Sequence, residues 1–262
     1  MNLPGRINFT AFTLLFILAS HIIVFSQQSY NLKQFGTESE NFLKQPFNWD
    51  AKDFGTFGLI AASTYLVMQA DEPLRNEMLK DRSFYSSFPI EAARIWGEPY
   101  TTLLISGIFA ISGISSDNDS NKRTAFEIIQ SGIYTAGVTQ IIKFGTGRSR
   151  PYTNEGSFTF HPFTKFSNDN WSLPSGHTSV AFSLSTIISK NSKSDFVKYV
   201  VYIPSLVTAF SRIYQDKHWL SDTFLGAAVG FFVAEWVHKQ HDAKETLIEI
   251  QSEQVLIITL PL

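Results

Sequence analysis

Cysteine is absent from this chain of 262 residues, which excludes disulfides, thiolate nucleophiles and zinc–cysteine sites. Charge is scarce as well: Asp, Glu, Lys and Arg make up 17% of the residues, below the roughly one quarter of an average soluble domain. With a net charge of −2 there is no basic field of the kind nucleic-acid binding needs, so nucleic acid is not an expected partner. No glycine-serine or proline-rich linker divides the chain and no internal repeat is evident, so one domain is the simpler reading. What is abundant is apolar surface, with 44% hydrophobic residues and 24 Phe. The composition leans toward lipid contact or a very apolar core.

The most informative stretch is Ser211 to Asp222, SRIYQDKHWLSD. If the chain is helical from Trp219, His218 and Asp222 lie one turn apart on the same face. The aspartate can then hold the imidazole in one tautomer and leave its other nitrogen free to attack. A lone His-x-x-x-Asp is ordinarily a helix start with a capping acid. Two further stretches change that reading. Lys143 to Pro151 is KFGTGRSRP, and Pro174 to His177 is PSGH. Together they add Lys143, Arg150 and, with Arg212, three cations, a second histidine in His177, and a Ser175-Gly176 pair opening a helix, whose free amides attract anions. Groups to hold and cleave a phosphate ester are all present.

The three pieces fit the pattern K-x6-RP, PSGH, SR-x5-H-x3-D, which resembles the type 2 phosphatidic acid phosphatase superfamily, a group that includes bacterial acid phosphatases and vanadium haloperoxidases. The resemblance covers about residues 54–240, and three spaced signatures are far more specific than one. It implies an all-α, six-helix bundle core, embedded in a membrane, associated with one, or soluble. It implies His218 as nucleophile, Asp222 as its orienting acid, and His177 as proton donor to the leaving group. Lys143, Arg150, Ser175, Gly176 and Arg212 are the implied phosphate ligands. No metal or other cofactor is implied, and vanadate is an expected inhibitor. Arg148, the additional arginine in GRSRP, is left open between touching substrate and being solvated.

Taken in order, residues 1–26 hold one charged side chain, Arg6, before an apolar stretch and a small residue at Ser26. This is the layout of a signal peptide, or else of an uncleaved N-terminal anchor, and either carries the rest of the chain outward into the cell envelope. Residues 27–53 show no sustained period and are expected to be an irregular lead-in. Phe54–Ala70 and Pro99–Ser116 are charge-free and are the best transmembrane candidates, with Asp71-Glu72-Pro73 marking a stop after the first. A helix from Arg123 to Phe144 delivers Lys143 at its end. Residues 152–173 form a long loop, expected to act as a lid or to contact substrate, with His161 and Trp171 as candidate entrance residues. Helices follow from the PSGH motif, from Asp195 to Ile213 with a kink at Pro204, and from Trp219 to Lys239. Gly226 and Gly230 are spaced for close helix packing. Within the C-terminal extension 241–262, Thr246 to Leu262 contains short alternating stretches and is expected to form a small strand pair or to dock on the core.

The charge-free lengths of the last two helices fall short of the roughly 20 residues that span a bilayer. Membrane-embedded and soluble bundles therefore both remain open, and composition favours association with a membrane. The expected function is hydrolysis of a phosphate monoester or diphosphate. A lipid phosphate (phosphatidate, isoprenyl diphosphate or phosphorylated glycolipid) is the leading substrate, with the active site facing the periplasm. The alternatives are a periplasmic acid phosphatase on soluble phosphoesters and a vanadate-dependent haloperoxidase.

Overall fold

The computed structural model describes residues 30–259 except Ser86, with side chains as far as Asp242. The leader expected over residues 1–26 lies outside the described residues. Every regular element among the described residues is helical, the all-α architecture expected, and an isolated bridge joins Arg148 to Phe160.

The first helix, α1 (Leu32–Lys44), corrects the irregular lead-in expected over 27–53. Asn31 caps it, its side chain accepting from the Gln34 amide at 3.0 Å. Phe42 stacks on Tyr134 with 4.4 Å between ring centroids, and the buried Glu38 accepts from Gln130 Nε2 at 2.8 Å. The period is carried by few apolar residues, and the surface that fixes it comes 92 residues later in the chain. Asp50 and Asp53 then form a capping box at the start of α2 (Ala51–Met68). The stop expected at 71–73 holds, α2 ending at Met68, and the same acids open the next helix, α3 (Asp71–Met78), with Asp71 fully buried.

After α4 (Phe88–Ala93) and α5 (Pro99–Ser115), the long α6 (Asp119–Thr146) runs through the core. There Ile128 and Tyr134 meet Leu184 and Ile187 of α7 (Gly176–Asn191), and Val233, Ala234 and Val237 of α10 (Leu220–Thr259). Each such aliphatic side chain, fully buried, contributes about 1.5–3 kcal/mol. The backbones of α10 and α7 touch: a Cβ on Gly226 would stand 2.7 Å from the Ser175 carbonyl oxygen, and one on Gly230 2.1 Å from that of Ser179. Glycine is what lets α10 lie on the opening turns of α7.

Two expectations for the C-terminal half need correction. The kink at Pro204 is a full break between α8 (Asp195–Val200) and α9 (Ile203–Tyr214), with Pro204 in the first turn of α9. Proline has no N–H to give and its ring collides with the carbonyl four residues back, so a new helix start is the lower-energy solution. The expected strand pair after 246 is replaced by helix: the backbone of α10 continues to Thr259. No glycine or proline interrupts the sequence between Gly230 and Pro261, and good helix formers such as Ala243, Lys244 and Glu245 bridge the two parts.

Several helices are turned inside out relative to a water-soluble bundle. α5 buries Thr101, Thr102 and Ser106 while exposing Leu104, Ile108 and Ile111. α9 buries Ser205, Thr208 and Ser211 while exposing Ile203, Leu206 and Phe210. By length and composition, the helical stretches 195–214 and 220–242 are apolar enough to cross a membrane, whereas Pro99–Ser115 is shorter. This reverses the expected ranking, in which 54–70 and 99–116 led. The charges that interrupt the later helices are placed where spanning allows them: Lys198 lies near a helix end, and Arg212, Asp222 and Glu235 are buried or largely so.

Candidate active site

The three signatures converge on one carboxylate. Asp222, in the first turn of α10, has no exposure, and each of its oxygens is bonded. Oδ2 lies 3.4 Å from His218 Nδ1, and it accepts from the Trp219 amide at 2.9 Å and from Ser172 Oγ. Oδ1 accepts from Arg148 Nη1 at 2.7 Å. Its backbone carbonyl accepts from the Ser175 amide at 2.9 Å, tying the PSGH turn to the His-x-x-x-Asp turn. The Trp219 indole donates to the Ser149 carbonyl at 2.9 Å and joins the first signature to the third.

Arg148 is the main residue that sequence reasoning left unresolved. It is neither solvated nor facing the pocket: it is wholly buried between two carboxylates, donating to Asp71 Oδ2 and Asp222 Oδ1, both at 2.7 Å. Its Nε also donates to the Ser157 carbonyl at 2.8 Å, which pins the loop. Asp71 completes the arrangement by accepting from the amide and the hydroxyl of Ser221. A buried arginine with both forks occupied is an architectural group, and it fixes the acid behind His218. No local signal marks Asp71, because its partners lie 77 and 150 residues away.

The cations line the other side of the site. Lys143, at the end of α6, is 6% exposed and donates to the Trp171 and Ser172 carbonyls at 2.5 and 3.3 Å, which leaves one of its three N–H groups free. Arg212 Nη1 is held by Gln215 at 2.7 Å, and Gln215 in turn by Glu91 at 2.6 Å. Arg150 Nη1 reaches the Lys217 carbonyl at 3.4 Å. The Nε atoms of Arg150 and Arg212 are both buried without a hydrogen-bond partner. Two unpaired guanidinium donors in a buried site are costly unless an anion completes them.

At the start of α7, Ser175 Oγ accepts from Thr178 Oγ1 at 3.0 Å, so its own proton remains available. A Cβ on Gly176 would meet nothing within 4 Å, and as in any helix the first amides of α7 have no intrahelical partner. His177 is partly exposed beside them.

Electrostatics agrees with this geometry. Burial, then the Arg150 charge, holds His218 well below the ordinary imidazole range, so the ring is neutral at neutral pH. Burial and the charges of Arg212, Arg94, Arg150 and Lys143 push His177 down to about 3. Lys143 is lowered to about 7 by burial and by Arg150, against the pull of Asp222. The groups press on one another because they share one small volume. Of the other candidates, His161 is exposed beside Glu155 at 3.3 Å. Trp171 packs edge-on to Phe166.

Residues 125–245, the segment that carries all three signatures, match the PAP2 superfamily. Over 84 residues, 31% of this chain, the sequence is 36% identical to a lipid A 1-phosphatase of Porphyromonas gingivalis, of whose length that stretch spans 19%. A crystal structure of Aquifex aeolicus LpxE superposes with a TM-score of 0.48 at 17% identity, covering 64% of this chain and 94% of the other.

Proposed function

We propose that this protein is a membrane-associated phosphatase that removes a phosphate group from a lipid through a phosphohistidine intermediate. The observation that carries the reading is the pairing of a neutral, buried His218, backed by Asp222, with two buried arginine Nε donors that lack a partner. A phosphoryl dianion supplies what those donors need. Lys143, Arg150 and Arg212, with Ser175 and the amide of Gly176, balance charge on its non-bridging oxygens, the electrostatic stabilisation phosphoryl transfer depends on.

In the first half-reaction a ring nitrogen of His218 bonds to phosphorus as the phosphorus–alkoxide bond breaks, and His177, protonated once the bound dianion offsets the surrounding cations, gives that proton to the departing oxygen. In the second, His177 takes a proton from water as that water attacks phosphorus, and His218 leaves with its electron pair restored. Asp222 holds the nucleophile's ring throughout.

The lipid substrate and the membrane location are supported by the outward apolar faces of α5 and α9, whose buried sides are polar. Among lipids, a phosphorylated glycolipid is favoured because the Porphyromonas gingivalis relative is named a lipid A 1-phosphatase. The periplasmic orientation follows the leader expected over residues 1–26.

Phosphate release by the full chain in detergent, without added metal, tests this reading on a lipid A preparation, phosphatidate, isoprenyl diphosphate and p-nitrophenyl phosphate, beside His218→Ala. The expected result is release mainly from lipids, abolished by the substitution. Equal release from the soluble ester makes the enzyme a general acid phosphatase, and retained activity in His218→Ala overturns the mechanism.

A further inference from the structure

Glu98 stands at the position that normally caps a helix, immediately before α5, yet its side chain makes no capping bond. It turns the other way, toward α7. Its Oε1 lies 3.2 Å from His177 Nε2, and the same oxygen is paired with Arg94 Nη1. Arg94 is held on its other side by Glu91, with Nε 3.0 Å from Oε2.

The turn that carries Glu98 is fitted closely against the PSGH helix. A Cβ on Gly97 would stand 2.3 Å from the His177 carbonyl oxygen, so only glycine permits the approach. Trp96 donates from its indole to Ser185 Oγ at 3.0 Å, and Thr101 Oγ1 donates to the Ile95 carbonyl at 2.6 Å. The first two contacts fix the turn on the first three windings of α7, the third braces it against the start of α5, and together they deliver the carboxylate to the ring. Neither a capping role nor surface solvation accounts for this: the Glu98 side chain is 12% exposed and bonded to two partners.

We infer that Glu98 is the positioning residue for His177, playing for the proton-transferring histidine the part that Asp222 plays for the nucleophile. The inference rests on the proposed role of His177. With Glu98 ionised, the bonded Nε2 carries the hydrogen, and Nδ1 is the nitrogen that exchanges a proton with the leaving group. Bound substrate dianion offsets the cations that keep the free ring neutral, so Nδ1 takes up a proton as substrate binds; in the first half-reaction that proton moves to the departing alkoxide oxygen, and Nε2 keeps its hydrogen in the bond to Glu98. In the second, Nδ1 takes a proton from the attacking water. Glu98 remains a carboxylate in both, balancing part of the charge of Arg94, Arg150, Arg212 and Lys143 around the ring.

Leaving-group dependence separates this role from a merely structural one. A leaving phenolate needs little proton assistance, whereas a benzyl alkoxide needs a great deal. For the full chain in detergent, kcat/KM is measured on p-nitrophenyl phosphate and on benzyl phosphate for the wild type, Glu98→Gln, Glu98→Asp and His177→Ala. Glu98→Gln is expected to lose about 10–100-fold on benzyl phosphate, as outer partners of functional histidines do, and no more than about 3-fold on the nitrophenyl ester, whose departure leans little on acid catalysis. His177→Ala should show the same split more steeply, and Glu98→Asp should retain more than Glu98→Gln on benzyl phosphate. Wild-type behaviour of Glu98→Gln, or equal losses on both esters, overturns the inference while leaving the proposed function standing. Absence of the split in His177→Ala overturns the role of His177 itself, and this inference with it.

Discussion

Arg148 and Asp222 hold each other at 2.7 Å with both side chains fully removed from solvent, and Asp71 holds the other fork of the same guanidinium at the same distance. One cation thus serves two buried acids, one of which backs His218. Removing it strands both. Breaking a buried pair by deleting one partner costs about 3–5 kcal/mol, so Arg148→Ala should lower the melting temperature sharply and abolish phosphate release. Arg148→Lys cannot supply two forks and should recover little of either.

Asp71→Asn tests the same arrangement more gently. The amide still accepts from Ser221, and the pair of Arg148 with Asp222 survives. A loss of about 1–3 kcal/mol in stability is expected, the range for a hydrogen bond to a charged group, with a smaller drop in kcat than Arg148→Ala produces. Thermal unfolding in detergent and phosphate release, measured on the same preparations, check it.

Lys143 predicts an alkaline limb in the pH profile. Its ammonium is lowered to about 7 in the free protein, and losing the proton removes a positive charge from the phosphate site. kcat/KM should therefore fall as pH rises through about 7. Bound substrate dianion favours the charged form, so the same limb in kcat should lie higher. Lys143→Arg, ionised throughout, should move the kcat/KM limb upward; an unmoved limb assigns it to another group.

Vanadate should compete with substrate, since its five-coordinate form resembles the phosphorus centre in transfer and draws on the same unpaired Nε donors of Arg150 and Arg212. Inhibition constants measured with Arg212→Ala should be weaker by the same factor as substrate binding. Purely noncompetitive behaviour would place vanadate elsewhere.

Gly230→Ala introduces a methyl 2.1 Å from the Ser179 carbonyl oxygen. Overpacking of this kind costs about 1–3 kcal/mol, and the displacement of α10 from α7 should also reduce turnover. His161→Ala, at an exposed residue, should leave most activity intact.

The sequence carried the signatures and most helix positions, because apolar runs, capping residues and motif spacing are local properties. The opening of α7 at Gly176, the delivery of Lys143 at the end of α6 and the placing of Asp222 one turn after His218 were all legible in this way. What escaped depends on partners remote in the chain. α1 gains its order from Tyr134 and Gln130, Asp71 from Arg148 and Ser221, and Glu98 from the PSGH helix. Residues 71–73 mark both the stop after α2 and the start of α3, because proline and acids suit the first turn of a helix as well as the segment after one. Whether α8–α9 and α10 are long enough to span stayed open in the sequence because the answer depends on where Lys198, Arg212, Asp222 and Glu235 point, which partners remote in the chain decide.

The convergence on Asp222 also sets an order of events during synthesis. Lys143, Arg150 and His177 leave the ribosome well before Asp222, the acid behind His218, and the PSGH turn is bonded to that residue's own carbonyl. Long-range closures of this kind come late in folding. A growing chain therefore cannot turn over substrate until its final helix has threaded against α7, and any truncation short of that helix yields a protein that is inert from the start.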